Sequence, residues 1–67
     1  MKLLIFDSIH YVLKAEKLLK KNAIGLEVIL TPREVSSDCG VCIRVKAEML
    51  DHAQRIIREN NLICTIC

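Results

Sequence analysis

The stretch Val41-Cys42-Ile43-Arg44-Val45-Lys46 decides the fold. Its apolar residues Val41, Ile43 and Val45 alternate with Cys42, Arg44 and Lys46, the period of a half-buried strand. The period then changes. Met49, Leu50, Ala53, Ile56 and Ile57 recur at the spacing of one helix face, and Asn60-Asn61 ends the pattern. A strand that runs straight into an amphipathic helix is half of a βαβ unit.

Working outward, Leu62 to Cys67 reads as a final strand. Upstream, Thr31 to Asp38 is Pro, Ser and charge, hence a loop, and Leu26, Val28 and Leu30 alternate with Glu27 and Ile29 as a strand. From Ile9 to Lys21, the residues Ile9, Val12, Leu13, Ala15, Leu18 and Leu19 form a helix face, with lysines on the other side. Asp7-Ser8 offers N-cap side chains, and Asn22 and Gly25 offer a stop. Lys2 to Phe6 is a short apolar strand. The order β-α-β-β-α-β predicts an α+β, ferredoxin-like sandwich. Its four-stranded antiparallel sheet has order 4-1-3-2, with both helices on one face, in a single domain over residues 1–67.

Composition narrows the function. A chain of 67 residues and 7.6 kDa buries only about 60% of its unfolded surface, which argues against a deep closed cleft. Net charge is +2 and Phe6 and Tyr11 are the only aromatics. Both tell against nucleic acid, since neither a strong positive field nor a base-stacking platform is available. The apolar run Leu3 to Phe6 stops at Asp7, too short for a signal core, and no stretch reaches a membrane span. The expectation is a cytoplasmic protein with reduced thiols.

Four cysteines stand as two pairs, Cys39/Cys42 and Cys64/Cys67. The spacing resembles a four-cysteine zinc site. The predicted topology opposes it, because the third and fourth strands are separated by the first, about 10 Å apart, and residues three apart on a strand face opposite ways. Cys42 and Cys64 read as small apolar side chains within strands, and Cys67 as a frayed end. Cys39 differs, lying in the polar loop between Asp38 and Gly40. Topology sets that loop at the same sheet edge as Asp7, Ser8 and His10. Arg33 in the loop and Arg44 on the strand favour a thiolate, Ser36 and Ser37 can donate to an anion, and Asp38 opposes ionisation. An accessible thiol of this kind can hold a terminal sulfur or selenium atom as a persulfide or selenopersulfide. His10 is a candidate for proton handling, and Cys42 for a resolving thiol.

The run Pro32-Arg33-Glu34-Val35-Ser36-Ser37-Asp38-Cys39-Gly40 resembles the signature of the small bacterial selenium/sulfur carrier-like family. Leu13-Lys14-Ala15-Glu16-Lys17-Leu18-Leu19-Lys20 and Ile43-Arg44 are also similar to it. The resemblance implies a carrier rather than a catalyst, without cofactor or resident metal, that passes sulfur or selenium between donor and acceptor proteins. It maps the acceptor onto Cys39 and the supporting groups onto Arg33, Ser36, Ser37 and Arg44. The sequence departs from the family at Cys42, Cys64 and Cys67. Two alternatives stay open: a zinc- or iron-binding or interaction domain using both cysteine pairs, and a thiol–disulfide module through Cys39–Cys42. Finally, Cys42, Arg44 and Ile29 point away from the helices, and an uncovered apolar sheet face there predicts a homodimer or partner surface.

Overall fold

The computed structural model describes residues 1–35 and 40–67. The chain runs β1 (Lys2–Ile5), α1 (Ile9–Lys21), β2 (Leu26–Leu30), β3 (Val41–Val45), a short 3-10 turn (Ala47–Met49) continuous with α2 (Leu50–Glu59), and β4 (Thr65–Ile66). This is an α+β chain in the predicted element order. Every strand pairing is antiparallel, and the sheet order is β2-β3-β1-β4, which is 4-1-3-2 counted from the other edge.

Register sorts the strand residues into two faces. Leu4 lies opposite Ile43 and Ile66, and Val28 opposite Ile43. Leu4, Ile43 and Val45 therefore share one face, where they join Val12, Ala15 and Leu19 of α1 and Ala53, Ile56 and Ile57 of α2. Phe6, Ile24 and Leu62 complete this core. Each large aliphatic side chain buried there contributes about 1.5–3 kcal/mol. Leu3, Ile5, Ile29, Cys42 and Arg44 occupy the other face.

Both helices end by one device. Asn22 and Asn60 each donate a side-chain N–H to the carbonyl four residues back, Leu18 and Ile56, at 2.8 Å. Ala23 and Asn61 follow with φ of 60° and 58°. The N–H of Ile24 then donates to the Leu19 carbonyl at 2.9 Å, and that of Leu62 to the Ile57 carbonyl at 3.0 Å. This is the Schellman pattern with its apolar contact, because Ile24 and Leu62 turn into the core beside Leu19 and Ile57. The left-handed residue of the α1 stop is thus Ala23 and not Gly25.

Two further expectations are corrected. Ser8 occupies the N-cap position of α1 with extended backbone but makes no side-chain capping bond. The last strand is Thr65–Ile66 alone and not Leu62 to Cys67, because Leu62 is spent on closing the α2 terminus and β4 pairs only with Leu4 and Ile5.

Candidate functional site

Strand direction sets what lies at each end of the sheet. β2 leaves the sheet at Leu30 and β3 enters at Val41, the end at which β1 finishes and α1 begins. The Thr31 N–H donates to the Gly40 carbonyl at 3.0 Å, closing the base of the 32–39 connection. Its first part is a turn in which the Val35 N–H donates to the Pro32 carbonyl at 3.0 Å. Arg33 sits exposed in that turn. Gly40 has φ +74°, a value that favours glycine. Ser36, Ser37, Asp38 and Cys39, including three of the predicted site residues, lie outside the described residues.

The other predicted site residues fall in different places. His10 is exposed on the first turn of α1, its ring edge-on to Tyr11 with centroids 5.4 Å apart. Arg44 stands four residues along β3 from Gly40, about 13 Å at strand rise. There its guanidinium donates to the Glu27 carboxylate at 2.6 Å across the β2–β3 pair. It lines a shallow cleft of about 420 Å³ with Met1, Leu26, Lys46 and Met49, at the sheet end away from the 32–39 connection. Arg44 therefore lies apart from the sheet end at which Arg33 and His10 stand. Thr31 is a group that the sequence reading missed. Its Oγ1 is buried at the base of the connection with no hydrogen-bond partner among the described residues; a single threonine beside a proline gave no signal.

The remaining cysteines divide by face. Cys42 is 0% exposed. On a central strand its short side chain is shaded by Ile29, its β2 partner, and by Ile5, which the β1–β3 register places beside it. A resolving role for Cys42 requires that burial to be undone. Cys64 packs against the helix-side core, and burial pushes its thiol above the ordinary value. Cys67 is exposed but not frayed: its N–H and C=O both bond to Leu3 at 2.9 Å. Cys42 and Cys64 thus sit on opposite faces of the sheet, which sets one site built from both pairs against the geometry. Among the described residues no group of three or more His, Cys, Asp or Glu converges as a metal site.

The outer sheet face is only partly open. On that face Cys42 and Ile5 are buried, Ile5 at 8% exposure, and Leu3 and Ile29 are half-buried. Among the described residues the exposed large apolar side chains lie elsewhere, at Met1, Ile9, Tyr11, Leu13, Val28, Leu30 and Ile63. No helix among the described residues is long and apolar enough to cross a membrane.

Comparison with curated proteins and with solved structures finds no match. A family model does match, and it spans residues 2–65, including the whole 32–39 connection. The chain belongs to the family described as "Putative Se/S carrier protein-like".

Proposed function

We propose that this protein is a sulfur or selenium carrier, built on a ferredoxin-like frame, in which Cys39 holds the cargo as a persulfide or selenopersulfide. The family match over residues 2–65 carries this reading. The burial of two other thiols supports it: Cys42 is wholly buried, and burial raises the Cys64 thiol above its ordinary value. In the proposed step the Cys39 thiolate attacks the terminal sulfur of a donor protein's persulfide. The new S–S bond forms on Cys39 as the donor's S–S bond breaks, and the electron pair leaves on the donor thiolate. No external oxidant or reductant is needed. Delivery to an acceptor protein runs the same exchange again.

Arg33, Ser36, Ser37 and the Thr31 hydroxyl are the groups assigned to stabilise the anion. Arg44 is already paired with Glu27 and is given no direct part. His10, exposed at the start of α1, is assigned at most proton exchange with solvent. The protein acts as a carrier rather than a catalyst, in the reducing cytoplasm.

Mass spectrometry after incubation with a persulfide donor tests the reading. The parent protein should gain one sulfur atom and Cys39→Ser should not. Equal gain in both would remove Cys39 from the mechanism.

A further inference from the structure

Charge is unevenly divided along the chain. Helix α1 holds Lys14, Lys17, Lys20 and Lys21 against the single acid Glu16. It therefore carries +3 in a chain of net charge +2, which leaves −1 for the rest of the protein. Part of this has a structural reason. Lys20 and Lys21 lie in the last turn, where cations suit the helix dipole, and Lys20 pairs with Glu16 at 3.2 Å. Lys14 and Lys17 have no such reason. They stand mid-helix, and neither forms an ion pair among the described residues. The residues three and four positions from Lys17 are Leu13, Lys14, Lys20 and Lys21. Three of its four neighbours on the helix surface share its charge, a pattern that disfavours the helix taken alone.

These lysines are collected on one face. Val12, Ala15 and Leu19 turn to the core. At about 3.6 residues per turn, His10, Leu13, Lys14, Lys17 and Lys21 fall on the opposite, outward side. There His10, Leu13, Lys14 and Lys17 line one shallow depression of about 300 Å³. Leu13 is 49% exposed, and Ile9, one turn earlier, 55%. Apolar side chains one turn apart thus border a strip of cations that the described residues do not neutralise.

We propose that the outward face of α1 docks an acidic amphipathic helix of a partner protein. Its carboxylates meet Lys14, Lys17 and Lys21, and apolar side chains at the same one-turn spacing seat on Ile9 and Leu13. Charge complementarity names this occupant, because carboxylates remove the repulsion among the lysines. A second copy of this chain would set lysines against lysines. Nucleic acid finds no free stacking platform, since the His10 ring is engaged edge-on by Tyr11. A bilayer takes up apolar side chains that stand beyond the cations, whereas Leu13 lies in a depression among them. Helix α1 begins at the sheet end that carries the 32–39 connection, so a partner seated on its first turns lies beside that connection. The proposal rests on the carrier reading only in naming the partner as the protein that gives or receives the sulfur.

The test is an NMR titration of isotope-labelled full-length protein with a blocked helix-forming peptide of glutamates with leucines four residues apart, beside its lysine counterpart. The acidic peptide should shift the amides of Ile9, His10, Leu13, Lys14, Lys17 and Lys21. Its affinity should fall as ionic strength rises, and the lysine peptide should leave the spectrum unchanged. The double variant Lys14→Gln and Lys17→Gln should weaken binding about fivefold or more at low salt. Its Tm should stay level or rise, since glutamine matches lysine as a helix former and the repulsion is gone. The proposal is overturned by absence of shifts, by equal response to both peptides, by shifts away from α1, or by undiminished binding in the double variant. Binding to phosphatidylserine vesicles or to RNA without response to the acidic peptide overturns it as well. Sulfur loading of Cys39 is read separately. Lost peptide binding with loading intact refutes the docking surface alone, and failed loading with peptide bound refutes the carrier reading alone.

Discussion

Replacing Cys42 by serine exchanges one sulfur for one oxygen at a site with no solvent exposure. The flanking residues on its face, Ile29 and Ile5, are apolar. The backbone groups of the Ile29–Cys42 pair are already spent on the β2–β3 ladder, so a serine hydroxyl arrives without an evident partner. Burying an unpaired hydroxyl costs about 1–3 kcal/mol. Alanine loses the packing of one heavy atom and leaves no polar group, at about 1 kcal/mol. A 67-residue chain has about 3–10 kcal/mol of stability in total, so these differences are large. At about 4–8 °C per kcal/mol, Cys42→Ala should lower Tm by about 4–8 °C and Cys42→Ser by about twice that. Urea titration followed by circular dichroism should show shifted midpoints at constant slope. The argument fails if serine is as stable as alanine, which would mean that the site is wet or already offers a partner. A folded Cys42→Ala that no longer accepts sulfur would fail it differently, by drawing Cys42 into the chemistry.

Three further outcomes follow from named contacts. Ala23→Gly should stabilise the protein by about 0.5–1 kcal/mol, since relief of φ 60° exceeds the added chain entropy; a thermal melt reads it, and a loss of stability would contradict the strain. Cys64 has a folded-state pKa raised by burial, so below the ordinary thiol value both states are protonated and stability is fully present. Above that value the unfolded chain ionises first, stability falls as pH rises toward the folded pKa, and Cys64→Ala should remove this part of the alkaline slope in urea melts. The Glu27–Arg44 pair is 58% and 36% exposed, so Glu27→Gln should cost less than about 1 kcal/mol, and the difference should shrink in high salt.

The fold was legible wherever period and burial agreed. Val41 to Val45 alternates cleanly because β3 is central and its two faces differ. Ile9 to Lys21 was readable end to end because α1 buries a single stripe of Val12, Ala15 and Leu19. The last strand was over-read, since Leu62, Ile63 and Cys64 are apolar for different reasons: Leu62 closes a helix terminus, Ile63 faces solvent at 84% exposure, and Cys64 rests on the core. Composition alone cannot separate these. A signal was nevertheless present in the parallel runs Leu18 to Ile24 and Ile56 to Leu62, each with an Asn four residues after its first apolar residue and another apolar residue two further on. The shading of Cys42 and Ile5 on the outer sheet face was not legible, because alternation tells which way a side chain points and not how far its neighbours shade it. Of the site, sequence located the connection and its sheet edge. The capture of Arg44 by Glu27 depends on register, and the burial of the Thr31 hydroxyl on the closure of the loop base, and neither is written in a local pattern.

The central claim is that Cys39 alone accepts the cargo, and site-resolved mass spectrometry of the unmodified protein tests it most directly. The protein is loaded from a persulfide donor under native conditions, digested, and each cysteine-bearing peptide is examined for the added sulfur. The account predicts the sulfur on Cys39, with Cys42, Cys64 and Cys67 unmodified. Added sulfur on Cys64 or Cys67 with Cys39 left as the free thiol would contradict it.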